Sequence, residues 1–404
     1  MQTRKVMKTL GSLFFVTLAL LPAQGDWLMF RGSNGNGSTH RSLPVTLKTQ
    51  GDKSWSQDLP GRGIASPVVV GNTIFLSASS GPYQEDLHVL AYDSSDGKQL
   101  WQRTLKATGR TVCHKKTCVA ASTLASDGKR LIAQFSSNDV FAFDLAGNLK
   151  WARGLTFDHP NIANGLGMSS SPVVVQGVAV IQVENDADSY SFGLDLQNGT
   201  TLWLKKRPKA ANWTSPVIIN TKGRSLVGLQ SKEGMTAIEP KTGKTVWDYQ
   251  DGASTIPSST WTGKGILLLP SHGITALQVA PDLQSFEPIW VDNKLKPGTG
   301  SPSCLDGFLY VVNNANVLSC ASVETGDIQW RLRLQGPISG SPLITADHLY
   351  IFSEDGLGQV VNIKAEKPEV IHTFDLDDTI LCTPAVAKDA ILVRSDSKLW
   401  KLSD

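Results

Sequence analysis

Between residues 184 and 188 the chain reads Glu-Asn-Asp-Ala-Asp, so Glu184, Asn185, Asp186 and Asp188 offer closely spaced oxygen donors of the kind a calcium ion takes. The run lies between two strand-like apolar segments, where a solvated turn is the ordinary expectation. A second candidate is the pair Cys113 and Cys118 around His114-Lys115-Lys116-Thr117. An oxidising compartment favours closing that short loop as a disulfide, and with one neighbouring histidine it lacks the ligands of a zinc site. Cys304, Cys320 and Cys382 sit in or beside apolar runs and are expected to be small buried thiols. The histidines are scattered without a pair at metal-ligand spacing, and the sequence contains neither a Gly-x-Ser-x-Gly elbow nor a phosphate-cradling loop ahead of a helix. What remains suits recognition. Arg31 follows Trp27 and Phe30, two aromatic residues able to plug a channel and leave the guanidinium inside it. His159 and Asn161 lie in a long segment, 156–170, and Trp213 lies in the next equivalent one. Loops on a rigid scaffold are the usual carriers of binding.

The elements that must position these residues repeat. Ser-Pro or a near match opens a unit at Ser66, Ser171, Ser215, Ser301, Ser341 and Thr383, with degenerate openings at Ser122-Thr123 and Ile256-Pro257. The spacing is roughly forty to fifty-five residues, the scale of a propeller blade. Each opening leads to a β-branched run, a turn often bearing Gly, and a second run, as in Val68-Val69-Val70, Gly71-Asn72 and Ile74-Phe75-Leu76. That is the pattern of a β-hairpin. A third segment then carries a small residue and an acidic one ahead of Gly-x-x-x-Trp: Ala91-x-Asp93 before Gly97 and Trp101, Ala142-x-Asp144 before Gly147 and Trp151, Gly193-x-Asp195 before Gly199 and Trp203, Ala237-x-Glu239 before Gly243 and Trp247. Gly326 and Trp330 repeat the last part, and Ala276 and Trp290 mark the same strands in the degenerate unit. The small residue leaves room against a neighbouring blade and the Trp covers the gap, burying ~150–250 Å² of ring surface. Trp55, Trp101, Trp151, Trp203, Trp247, Trp290 and Trp330 are therefore read as mortar between blades.

The last unit ends after its third strand near Lys398-Leu399-Trp400-Lys401, while Lys53-Ser54-Trp55-Ser56 is a Trp-bearing strand with no partner before it. Pairing the two closes an eight-bladed, all-β propeller of four-stranded antiparallel blades and leaves no open edge. Seven blades is the count if the unit at Ile256-Pro257 is not one.

The Ala-x-Asp-x-x-x-Gly-x-x-x-Trp tag resembles the tryptophan-docking motif of the PQQ-like β-propeller superfamily, over nearly the whole chain from Trp55 to Lys401. That resemblance implies two branches. In the quinoprotein dehydrogenases a quinone sits between a Trp floor and a disulfide of adjacent cysteines, with calcium held by Glu and Asn beside an Asp base. In the non-catalytic branch, typified by BamB, the propeller serves a machine that assembles outer-membrane β-barrels. This chain has no adjacent cysteine pair, so no cofactor is expected, and PQQ with calcium stands as the alternative.

Composition sets the compartment. Arg4, Lys5 and Lys8 precede an apolar stretch from Leu10 to Leu21 and small residues at Ala23-Gln24-Gly25, the grammar of a cleaved signal peptide over residues 1–25. No cysteine lies beside that cleavage site, unlike the lipidated BamB-type proteins. A leader over 26–51 and a propeller over 52–404 follow. Net charge is +2 and no basic cluster exceeds Lys205-Lys206-Arg207, which argues against nucleic acid as a partner. The expected protein is a monomeric, periplasmic or secreted scaffold with an envelope protein partner and no membrane span in its mature part. The alternatives are a PQQ-dependent oxidoreductase and a small-molecule or glycan binder using the channel.

Overall fold

The computed structural model describes residues 25–162, 165–221 and 223–404. These residues form eight four-stranded antiparallel sheets, blades 1 to 8 in chain order with first strands starting at Val68, Ala125, Val173, Val217, Thr260, Ser303, Leu343 and Ala385, each a meander of consecutive strands except blade 8, which is completed from both ends of the chain. Blade 1 comprises Val68–Val70, Thr73–Ser80, Asp86–Asp93 and Gln99–Lys106. Its second and third strands are buried on both faces, since each blade is sandwiched between two neighbours, whereas the fourth alternates toward solvent. Helix is confined to one turn at Leu155–Asp158 and a 3-10 turn at Asn293–Leu295 among the described residues.

The tag has a consistent geometry. In blades 1 to 4 the small residue of the third strand pairs with the Trp of the fourth, and the register shifts immediately afterwards, at Ala91/Tyr92, Ala142/Phe143, Gly193/Leu194 and Ala237/Ile238. Such a bulge increases local twist and turns the Trp toward the next blade. There it lies over that blade's tag glycine: a Cβ on Gly147 would come within 2.7 Å of the Trp101 ring, on Gly199 within 2.6 Å of Trp151, on Gly243 within 2.6 Å of Trp203, and on Gly326 within 2.8 Å of Trp290. The glycine is thus required twice, for the close approach and for its positive φ, +81° at Gly147. Indole N–H groups donate across the same gaps, Trp101 to the Leu145 carbonyl at 3.0 Å and Trp203 to that of Pro240 at 2.7 Å. Blade 5 has no tag glycine, and Trp247 packs instead on Phe286, with ring centroids 4.9 Å apart. Blade 7 places His372 opposite Val360, the slot where the other blades carry Trp, and His372 stacks on Phe374 at 5.7 Å.

Closure follows the expected route. Trp55–Asp58 pairs with Lys398–Leu402 in the register Trp55↔Lys401, and Trp55 covers Gly97 of blade 1. The degenerate unit is a full blade, Thr260–Trp261, Ile266–Leu269, Ile274–Val279 and Phe286–Asp292, which makes the count eight. Its opening is shifted from the sequence reading: Ser258, not Ile256, takes the place that Ser215 and Ser301 hold in their blades.

Two further expectations are corrected. Trp27 does not plug the axis; its backbone exchanges hydrogen bonds with Val69 at 2.8 and 2.9 Å and its ring joins the core between blades 8 and 1. Cys113 and Cys118 are free thiols. Cys118 is fully buried in the apolar cluster of blades 1 and 2, whereas Cys113 points to Gln84, whose Nε2 lies 3.6 Å from Sγ. The signal-peptide reading rests on residues that, apart from Gly25, lie outside the described ones. Among the described residues no helix is long and apolar enough to cross a membrane.

Candidate functional site

Where the blades converge on the axis, the opening residues form a belt. The Ser66 amide donates to Thr123 Oγ1 at 3.0 Å, Thr123 to Ser171 Oγ at 3.0 Å, and the pattern continues at 2.9 Å through Ser215, Ser258, Ser301 and Ser341 to Thr383. From Thr123 to Thr383 each hydroxyl accepts from the preceding blade, which is why these openings carry Ser or Thr. The belt is unclosed at the seam between blades 8 and 1, where buried Ser66 Oγ has no partner. Two residues ahead of each belt member stands a second, more exposed ring in which the apolar Ile64, Ala121, Trp213, Ile256 and Leu381 are interspersed with Ser169, Thr299 and Ser339. Together the rings enclose a funnel of about 450 Å³, floored by Phe30.

Below the floor lies Arg31, 3% exposed. Its guanidinium donates to Thr260 Oγ1 at 2.8 Å and to the carbonyls of Pro302 at 2.5 Å and Ser259 at 2.6 Å, pinning the leader to blades 5 and 6. Burial without a carboxylate partner lowers its pKa to about 10, so it stays charged at neutral pH. Arg31 is therefore a peg beneath the channel rather than a group open to it. A wider cleft of about 880 Å³ between the connections of blades 4 and 5 holds Asp251 and His272, with His272 Nε2 2.9 Å from the Asp251 carbonyl. It is shallow and lies off the axis, so the smaller funnel, walled by all eight blades, is the better-built site.

At the mouth the cations are already engaged. Arg62 pairs with Asp396 at 3.0 Å and donates to the Thr117 and Lys115 carbonyls, and Lys116 pairs with Glu354 at 2.7 Å. These bonds tie the 104–121 insertion, through Lys115, Lys116 and Thr117, to blades 7 and 8.

The acidic run is dispersed. Glu184 is buried and gives one oxygen to Arg207 Nε at 2.7 Å and the other to Asn212 Nδ2 at 2.9 Å. Burial nevertheless pushes its carboxyl up from the usual value, against the pull of Arg207. Asn185 Oδ1 caps its own turn, accepting from the Ala187 amide at 2.7 Å, Asp186 accepts from the Ala211 amide at 3.3 Å, and Asp188 pairs with Lys209 at 3.1 Å. No group of three or more carboxylate, histidine or cysteine side chains among the described residues is arranged to hold a metal ion. The four residues do not fit a calcium site, and the funnel does not fit a carboxylated quinone, because its wall is hydroxyl and hydrocarbon with its rim cations spent elsewhere.

Of the residues assigned to a binding face, only Trp213 lines the funnel, its Nε1 donating to the Gly167 carbonyl at 2.8 Å. His159 packs at a tilt against Tyr190 with centroids 4.8 Å apart, and Asn161 donates to Asp188 at 3.3 Å, so both brace the third blade. Sequence reasoning missed the buried network around Arg207. It also missed Arg394, fully buried in blade 8 and bonded to the Ser77 and Gly61 carbonyls of blade 1 and the connection leading into it. Arg207 entered the sequence reading only as the end of a short basic cluster, and Arg394 did not enter it.

A family model described as outer membrane protein assembly factor BamB matches residues 21–249 and 279–378. BamB of Bordetella pertussis is 22% identical over 67% of this chain, and BamB of Alkalilimnicola ehrlichii 26% identical over 55%. The chain spans 64% and 52% of the lengths of those relatives. Among solved structures, a europium-containing methanol dehydrogenase aligns with a TM-score of 0.72 at 14% identity, covering 94% of this chain and 98% of that one. BamB of Moraxella catarrhalis aligns with a TM-score of 0.65 at 16% identity, covering 89% and 98%. Both structural likenesses establish the fold alone. With its repeats, docking tryptophans and eight-bladed closure, the chain belongs to the PQQ-like β-propeller family whose model is described as outer membrane protein assembly factor BamB.

Proposed function

We propose that this protein is a non-catalytic scaffold of the cell envelope, working in the periplasm, that presents its channel face to a protein partner in outer-membrane protein assembly. One observation carries the reading beyond family membership. In a four-stranded meander the turn between the second and third strands and the outgoing connection share one end, and that end gathers the exposed apolar side chains Tyr83 (77% exposed), Phe157 (73%) and Val112 (50%), with Leu166 and Ile256 near the axis. Large aromatic groups displayed on loops of a rigid body are typical anchors of a protein interface. The reading is also supported by the funnel's lack of fit to a quinone, and the protein acts here without PQQ or calcium.

The test is made in cells. A photo-reactive residue at Tyr83 or Phe157 is expected to cross-link to a component of the barrel-assembly machinery, and removing the protein is expected to lower the outer-membrane content of newly made β-barrel proteins. Unchanged barrel levels together with cross-links to unrelated proteins only would sink the assignment.

A further inference from the structure

The funnel has a property that partner docking does not use. Its two rings differ in chemistry along the axis: five of the eight outer-ring residues at the mouth are apolar, whereas the belt near the floor is all hydroxyl. Every belt oxygen that accepts an amide keeps its own O–H proton, and none of the belt hydroxyls donates to a protein acceptor among the described residues. Buried hydroxyl donors are ordinarily matched with acceptors. Above them, Trp213 is held edge-fixed by its bond to Gly167, and Ile256 and Leu381 complete an apolar collar. A volume of about 450 Å³ lies in the range of small-molecule pockets. His114 and Lys116 are the only ionisable residues along the described wall, both at the mouth, and Lys116 is taken by Glu354.

We propose that the funnel binds a compact, uncharged small molecule with an apolar body and a hydrogen-bond-accepting end, which enters acceptor first. The acceptor meets the unspent belt hydroxyls above Phe30, and the apolar body fills the collar of Trp213, Ile256 and Leu381. Charge is selected against because the wall offers no counter-ion at that depth, and an ion there would give up its hydration for neutral dipoles alone.

The uncharged naphthalene ketone Prodan is a suitable probe, since its emission moves to shorter wavelength when it leaves bulk water. Titration of the full chain is expected to show saturable one-to-one binding with a blue-shifted emission. Ile256→Glu places a charge in the collar at a position 46% exposed, where folding tolerates it, and is expected to weaken binding at least tenfold. Trp213→Ala is expected to do the same. Ile371→Glu, on the outer strand of blade 7 and away from the axis, is the control and leaves binding unchanged. Circular dichroism and thermal unfolding confirm that each variant is folded. Absence of saturable binding, equal affinity in the collar variants, or displacement of Prodan by PQQ at comparable concentration would each overturn the proposal. The cross-linking of the channel face to an assembly partner is independent of all these outcomes.

Discussion

The seam between blades 3 and 4 and the seam between blades 6 and 7 join the same kind of blade by opposite means. At the first, Arg207 bonds Glu184 of its own blade, then the Leu229 carbonyl at 3.0 Å and Thr236 at 3.2 Å across the gap, while Asn212 links Glu184 to the Gln230 carbonyl. At the second, Tyr310, Val312, Ile344, Leu349 and Ile351 make one apolar cluster under Trp330, and no ion pair crosses it among the described residues. The contrast runs around the ring. The residue facing the belt at the end of the second strand is Ser77, Gln134, Gln182, Gln230 and Arg394 in blades 1 to 4 and 8, but Pro270, Val312 and Phe352 in blades 5 to 7. Polar seams bond to named atoms in the next blade's incoming connection, as Gln230 does with the Ser254 and Pro257 carbonyls at 2.6 and 3.0 Å. Apolar seams rest mainly on packing, with side-chain bonds at the inner edge such as that from Ser303 Oγ to the Pro342 carbonyl at 2.7 Å. The long connections 104–121 and 156–170 rise from the polar arc, where directional bonds can hold them still.

Truncation should therefore be severe on one arc and graded on the other. Glu184→Ala leaves Arg207 buried and unpaired, and is expected to cost about 3–5 kcal/mol in urea unfolding. The paired replacement E184L/R207M should recover most of that loss, because it removes both charges from the low-dielectric seam. A double variant as unstable as E184A alone would mean that the remaining contacts of Arg207 carry the seam. Gln230→Ala strips the Ser254, Pro257 and Ser259 groups of their partner and should cost about 1–3 kcal/mol. On the apolar arc, Ile351→Val removes one methylene from a fully packed site and should cost about 0.5–1.5 kcal/mol. If I351V proves costlier than Q230A, the contrast between the arcs fails.

The fold was legible because its code is local. A Ser or Thr at the opening, a small residue, a turn glycine and a Trp at fixed spacing specify a blade without reference to the rest of the chain, and the orphan strand at Trp55 announced the closure. The misplaced opening at Ile256 shows the limit: Pro257 attracted the reading, whereas the structure uses the next residue's hydroxyl to accept from Ser215. The seams were illegible for a physical reason. Arg207 and Asn212 lie 23 and 28 positions beyond Glu184 and reach it only once the blade has folded and its outgoing connection has turned back along it. In sequence the same glutamate belongs to an acidic run that looks like metal ligands, and Arg207 to a basic run that looks like surface. The funnel was hidden similarly, since its Ser and Thr residues read as punctuation until the blades are closed into a ring.

Cysteine chemistry gives a gentler comparison of the two regions. Burial pushes Cys118 up to about 12, Cys304 and Cys320 likewise, and Cys382 up to about 11, so all four stay as protonated thiols at working pH. Cys113, in the insertion above the polar arc, is raised as well but is only partly covered. Alkylation of the native protein at pH 8 is expected to label Cys113 alone, with mass analysis locating the adduct.

The finest test uses pH on Glu184. Its folded-state carboxyl titrates above the usual carboxylate value because burial outweighs the attraction of Arg207 and the hydrogen bond from Asn212. A carboxyl raised by folding contributes most where it is neutral, below its unfolded value near 4.5, and that contribution is lost as pH rises through the folded value. Glutamine at this position cannot titrate. The stability advantage of the wild-type protein over E184Q, read from urea midpoints between pH 4 and 8, should therefore shrink as pH rises. An advantage that grows instead would show that the Arg207 pair outweighs its own desolvation, and the polar seam would then be a net source of stability as well as of position.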